Sequence, residues 1–292
     1  MKRPALRAGL AGCVPAQETM RKKGSAHYGL PHRILTLLLI SALGLALSGC
    51  AGSRIAARPA PYDSPESALR ALAAPLSAGQ TVTATAHILI NSNGAKYPLK
   101  VALMIKEPAH LRVESIPVMG PPDFFLSIVG GELRVFLHGR GGGTFYTGRA
   151  TPQNLSRFFP IVLPAEEMLP LLMGLPPDDG KTPFSLSGEW EAGYYRIDRC
   201  AAGRKVCSLW IDPAGNLITR IRTFGEGETI AYTADFSEHT RLGKGFLPQR
   251  LVISGEAMPE LTIRYTDLRQ IAADQDSFAL PVPEGIVPTF LD

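Results

Sequence analysis

Between Thr81 and Lys106 the apolar side chains fall at every second position. Val82, Ala84, Ala86, Ile88 and Ile90 share one face of the first run, and Leu99, Val101, Leu103 and Ile105 one face of the next. A period of 2 sustained over both runs predicts two half-buried antiparallel strands, with NSNGAK between them as a hairpin loop. Further strands are expected at 110–116, 124–130, 132–138 and 143–147, and again from about 184 to about 280, with turns at 212–216 and 225–228. The alternation stops only twice. Ser64-Pro65 offers an N-cap with Pro at the first helical position, ahead of Ala68, Leu69, Leu72, Ala73 and Leu76 at helical spacing. After Gly148, Thr151-Pro152 caps a helix with Leu155, Phe158 and Phe159. PAEEMLPLLMGLPP then gives another, with Pro170 expected to kink or split it and Gly174 past its end.

About eleven such strands cannot bury one face each unless the sheet curls. The expected fold is therefore α+β, mainly β: a curled antiparallel half-barrel of about 11 strands, with short helices covering its concave face, over residues 63–292. Small inward residues such as Ala84 leave volume inside, and an incompletely filled apolar half-barrel suits an apolar ligand.

The N-terminus argues for export. HRILTLLLISALGLALSGC runs from basic to apolar to small residues, and the apolar stretch from Ile34 to Leu47 is shorter than the ~20 residues of a comfortable membrane span. Leu47-Ser48-Gly49-Cys50 resembles a bacterial lipobox, which implies cleavage and lipidation at Cys50; an ordinary signal peptide with a chance cysteine is the alternative. Residues 1–49 are thus expected to be a leader, with 1–19 ahead of a better start at Met20, and residues 50–62 a lipidated tether. The leader holds seven of the 30 bases and one of the 26 acids, so the remainder carries 23 against 25. That balance gives no basic face for nucleic acid.

Little in the chain suggests catalysis. His87, His110, His138 and His239 are scattered singly, no Gly-x-Ser-x-Gly occurs, and the glycine run at 139–143 lacks the lysine and hydroxyl of a phosphate loop. Glu166 and Glu167 are adjacent on a helix, too far apart in angle to form an acid/base pair, and read as partners of the helix dipole. No catalytic residue, metal or cofactor is expected. Cys200 and Cys207 flank a hairpin loop in an oxidising compartment, and a cross-strand disulfide is the first reading. Direct pairing would mix the two strand faces unless a bulge intervened, and two free thiols are the alternative.

The loop PVMGPP sits between two strands and places Val118 and Met119 at the tip of a Pro/Gly turn, where polar residues are the rule. They either plug the domain's own core or meet something outside it. A strand, Pro117-Val118-Met119-Gly120, a second strand, then mid-chain helices ending in Met173-Gly174-Leu175-Pro176 together resemble the outer-membrane lipoprotein receptor family LolB. In that family an apolar residue before the Gly protrudes to help insert an incoming lipoprotein. Residues 161–176 resemble the family's helical lid, and residues 278–286 the closing strand and tail of the related carrier LolA.

The resemblance implies a monomeric, non-enzymatic lipoprotein of the outer membrane. Its domain would lie in the periplasm and bind membrane lipid and lipoprotein acyl chains, received from a LolA-type carrier. Val118 and Met119 would form the membrane-insertion loop, and Val82, Ala84, Ile88, Leu99, Val101, Leu103, Leu126, Ile128, Phe158, Met168 and Leu172 would line the acyl cavity. A structural or adaptor lipoprotein with a filled half-barrel is the competing reading.

Overall fold

The computed structural model describes residues 61–292, apart from 74–79, 140, 160–162, 179 and 257. The expected leader, Cys50 and the tether as far as Ala60 lie outside the described residues. Tyr62, assigned to the tether by its sequence, is instead buried: its ring packs against Tyr195 with centroids 5.2 Å apart, and its hydroxyl donates to Asn216 Oδ1 at 2.6 Å.

The described strands form a single sheet of 14, more than the eleven expected. Chain order begins with helix α1 (Pro65–Ala71). Six strands follow: β1 (Thr81–Ser92), β2 (Ala95–Lys106), β3 (His110–Ser115), β4 (Phe124–Val129), β5 (Glu132–Leu137) and β6 (Thr144–Arg149). Helices α2 (Pro152–Leu155) and α3 (Ala165–Leu172) interrupt. Seven more strands follow: β7 (Ser185–Glu191), β8 (Tyr194–Ala201), β9 (Arg204–Asp212), β10 (Leu217–Phe224), β11 (Ile230–Leu242), β12 (Gly245–Gly255) and β13 (Met258–Ile271). A two-residue β14 (Thr289–Phe290) ends the chain.

Each half is a meander, and the halves join where β1 pairs with β13, the seam of the sheet. All pairings are antiparallel except β14 with β6. The first hairpin shows why the chain folds this way locally. Asn93 and Gly94, at φ +52° and +80°, supply the two left-handed residues of a tight turn, and this sets Ser92 opposite Ala95 and every apolar residue of β1 opposite one of β2.

The sheet curls, and its inward residues merge with α3 into one core. Ala86, Val113, Ile128, Ile197, Ile221 and Ile253 are fully buried on the strands, and Met168, Leu169, Leu171 and Leu172 are buried on the helix. α1 is capped as its sequence predicts, with Ser64 and Ser67 exchanging side-chain to backbone hydrogen bonds.

Two expectations need correction. Pro170 does not split α3 into two pieces; the helix is continuous and Pro170 lies in its last turn, where only one helical hydrogen bond is forgone. The meander ends at Ile271 rather than near 280, only the two-residue β14 follows it, and residues 278–286 form no strand. The segment beyond Ile271 makes a short 3₁₀ turn (Asp276–Phe278) across the other face of β3–β5. There Phe278 is fully buried, its carbonyl accepts from Ser127 Oγ at 2.5 Å, and Ala279 O accepts from Arg112 Nη1 at 2.7 Å. A polar-faced stretch of strand is therefore covered by its own C-terminal segment.

Candidate functional site

The β3–β4 loop is pinned at its neck and free at its tip. Ser115 Oγ accepts from the backbone N–H groups of Asp123 (3.0 Å) and Phe124 (3.1 Å) and donates to Asp123 Oδ1 (2.6 Å), while Ile116 N–H donates to Lys100 O at 2.8 Å. Beyond this closure the chain passes through Gly120 at φ +89°. Val118 is 103% and Met119 87% exposed, so neither packs back onto the domain. Two adjacent apolar side chains held wholly in solvent on a fixed neck gain nothing from the fold.

An apolar pocket of about 280 Å³ opens beside that neck, and Ser115, Asp123 and Phe124 belong to both. Strand alternation brings Ile88 and Ile90 of β1, Leu99 and Val101 of β2 and Phe124 of β4 to one inward face, and Phe158 and Phe159, just past α2, cover them. The apolar surface continues outward on β2, where Leu99 and Tyr97 are about half exposed.

The eleven residues expected to line a cavity do not share one open space. Nine of them are buried within the core: Val82, Ala84, Ile88, Val101, Leu103, Leu126, Ile128, Met168 and Leu172. Phe158 is partly buried and Leu99 exposed. Only Ile88, Leu99, Val101 and Phe158 line the 280 Å³ pocket. Ala86 is wholly buried in the core that the apolar face of α3 joins, whereas Ala84 and Leu103 border a separate space of about 350 Å³ with Thr83, Arg112 and Glu114. Ile90, Phe124 and Phe159 complete the pocket but were missed. Ile90 was visible in the alternation, whereas Phe124 and Phe159 enter through the placement of a loop and of a turn after α2.

α3 is tied to the sheet at both ends. Near its start the Tyr232 hydroxyl donates to Glu167 Oε2 at 2.9 Å, and at its end the Tyr265 hydroxyl donates to Leu172 O at 3.1 Å. Burial holds both phenols well above their ordinary range, so they remain donors at any physiological pH. The helix then closes in a Schellman motif, with Leu175 N–H to Pro170 O (2.9 Å) and Gly174 N–H to Leu171 O (3.0 Å). Gly174 lies at φ +74°, and a Cβ there would stand 2.7 Å from Pro248 Cδ.

Cys200 and Cys207 form no disulfide. The regular register that runs from Tyr195 opposite Ile211 sets Arg199 opposite Cys207, and a shift after Arg199 then pairs Cys200 with Lys205. Cys207 therefore points inward with Arg199 and Cys200 outward, which is the parity obstacle already visible in the spacing. Burial pushes the Cys207 thiol up to about 12. Among the described residues no group of three His, Cys, Asp or Glu side chains is placed to hold a metal ion, and no helix is long and apolar enough to cross a membrane. His110 and His239 are held below the ordinary histidine range by burial, His110 also by the nearby Lys106.

This geometry, an open curled sheet with helices on its concave side, is the LolA-like fold. A LolA superfamily protein from Nitrosomonas europaea superposes with a TM-score of 0.53 at 11% identity, over 75% of this chain and 99% of that one. A DUF1329 family protein from Desulfovibrio piger superposes with a TM-score of 0.51 at 14% identity, over 69% of this chain and 90% of that one. At such identities the likeness is one of fold. No family model and no curated protein matches the chain.

Proposed function

We propose that this protein is a lipid-anchored envelope protein that accepts acyl chains beside the β3–β4 loop and passes them to a membrane through Val118 and Met119. The observation that carries the reading is the pair of fully exposed apolar side chains on a pinned neck whose base is the rim of an apolar pocket. Burying the two in a bilayer is worth roughly 3–6 kcal/mol together, and the fold itself offers them no such burial. The LolA-like fold is consistent with lipoprotein sorting, and no step requires covalent chemistry. In this reading residues 1–49 are removed, Cys50 is lipidated, residues 63–292 form the lipid-binding domain, and the domain works at the outer membrane, where a LolA-type carrier supplies the cargo.

A pocket of 280 Å³ sits at the lower edge of the roughly 300–1,000 Å³ usual for ligand sites. A full acyl chain is admitted when α3 swings from the concave face, releasing the Tyr232 and Tyr265 hydrogen bonds and uncovering the buried residues expected to line the cavity. The test is lipoprotein delivery by a Met119→Glu variant in cells depleted of the native protein. Delivery lost with folding intact is expected, and normal delivery sinks the insertion role.

One observation favours a second reading. The concave face is filled by α3, as in an adaptor that keeps the half-barrel and binds an envelope protein. Organic extraction of a soluble form beginning at Ala51, purified without detergent, separates the two: stoichiometric lipid or saturable binding of a fluorescent fatty acid supports the acceptor, and neither supports the adaptor.

A further inference from the structure

Over the other half of the sheet lies a second cavity, of about 300 Å³, that shares no residue with the apolar pocket. Its floor is the inward face of β8 and β9, where Arg199 and Cys207 stand opposite each other. An arginine on the inward face of a curled sheet is out of place, since the same face of β8 carries Tyr195 and Ile197, both in the core. Arg199 is only 9% exposed, yet its Nη1 is buried without a hydrogen-bond partner. The one carboxylate oxygen within 4 Å among the described residues, Asp178 Oδ2, lies 3.8 Å away on a half-exposed side chain, and the guanidinium otherwise rests over the Phe184 ring at 5.5 Å.

A buried guanidinium with no hydrogen-bonded counterion is costly, and a purely structural position would have been better filled by an apolar residue. Its planar fork suits an anionic oxygen pair. Yet the cavity as a whole is acidic, because Glu166, Glu167 and Asp178 line it with Arg199. Glu167 is held by the Tyr232 hydroxyl, and Asp178 Oδ1 accepts from the Gly180 N–H at 2.8 Å, so Glu166 and Asp178 Oδ2, on exposed side chains, are the carboxylate oxygens that can meet a ligand. A simple anion would satisfy Arg199 and be repelled by the carboxylates; a simple cation would satisfy the carboxylates and leave Arg199 unpaired. A ligand carrying both charges a few ångströms apart satisfies all of them.

The geometry points to a site for a zwitterionic head group: an anionic phosphate oxygen on Arg199 at the floor, an ammonium toward Asp178 and Glu166 at the mouth, as in an ethanolamine phospholipid. Phe184 and Val206, partly buried on the wall, give the adjoining carbons an apolar surface. The charge pattern and the cavity are independent of the acyl-chain reading; only the choice of a lipid as the carrier of the head group rests on it.

The test is calorimetric titration of the purified protein with dihexanoyl phosphatidylethanolamine below its micellar concentration. Dihexanoyl phosphatidylglycerol serves as the anion without the ammonium, and free O-phosphoethanolamine as the head group without the tails. The ethanolamine lipid is expected to bind at least tenfold tighter than the glycerol lipid. Arg199→Met should weaken it about tenfold to a hundredfold, the usual cost of losing a hydrogen bond to a charged group. The same variant should melt no lower than wild type, because a buried charge without a hydrogen-bonded counterion is removed.

Asp178→Asn, on an exposed side chain that cannot threaten folding, should narrow the preference between the two lipids. Free O-phosphoethanolamine binding as tightly as the lipid would keep the site and assign it a soluble zwitterion. Equal affinity for the two lipids, or an Arg199→Met protein that binds like wild type, overturns the proposal. A fluorescent fatty acid titrated in parallel reports on the other pocket, so loss of that binding with head-group binding retained would refute only the acyl-chain reading.

Discussion

Replacing Val118 and Met119 together by serine isolates the role of the loop tip, because the two are 103% and 87% exposed and contribute almost no packing. The folded domain should therefore melt within a degree or two of wild type, surface changes away from special features being worth about ±0.5 kcal/mol. Transfer to a bilayer should suffer instead. Burial of a Val and a Met side chain is worth roughly 1.5–3 kcal/mol each, so losing both removes about 3–6 kcal/mol, or roughly a hundredfold to ten-thousandfold in partition. The assay is co-sedimentation of a soluble form beginning at Ala51 with sucrose-loaded vesicles of bacterial phospholipid, which removes the contribution of the anchor. A folded double variant that partitions like wild type would refute the reasoning, and with it the claim that the tip is apolar because its partner is lipid.

Other outcomes follow from the helix and the pocket. Tyr265→Phe leaves Leu172 O without its buried donor, costing about 1–3 kcal/mol, and should speed uptake of a fluorescent fatty acid in stopped flow if release of α3 limits entry; slower or unchanged uptake counts against the helix as gate. Gly174→Ala forces an L-residue to φ +74° with its Cβ against Pro248, and should lower stability by about 1–3 kcal/mol in a urea melt. Leu99→Trp, on a half-exposed residue at the pocket rim, should weaken the acyl probe with little change in melting temperature, whereas Ala86→Phe, at a wholly buried position, should cost about 1–3 kcal/mol in a urea melt by overpacking the core. In the same soluble form, alkylation at pH 8 should label Cys200 but reach Cys207 only after denaturation, since burial holds the Cys207 thiol near 12; an intact mass two hydrogens light would reveal a disulfide instead. Because the thiol ionises more readily once unfolded, its contribution to stability should be present below about pH 9 and lost as the pH rises from there toward 12.

Much of this architecture was legible in the chain. Period-2 alternation placed β1 to β6 to within a residue or two, Asn93-Gly94 set the first hairpin register, and Ser64-Pro65 and Thr151-Pro152 marked where α1 and α2 begin, because strand faces, tight turns and caps are decided by neighbours in sequence. Gly174 after Met173 likewise announced how α3 would end. Alternation could also say that Ala84 and Ala86 point inward, and the composition of the loop that Val118 and Met119 lack a polar excuse for their position.

What faces those residues is a long-range matter that only the tertiary structure decided. The count of strands turned on turns that separate short runs, and Phe278 read as part of a strand until β3–β5 supplied a surface for the tail to cross. What fills the core in front of Ala86 depended on α3, some 80 residues away in the chain and tied to the sheet by Tyr232 and Tyr265. Whether Cys200 met Cys207 depended on the register of β8 with β9, which sets Arg199 opposite Cys207 and leaves the two thiols on opposite faces. That register puts Arg199 on the inward face with Cys207, and only the curled sheet turns the position into a buried charge without a hydrogen-bonded counterion.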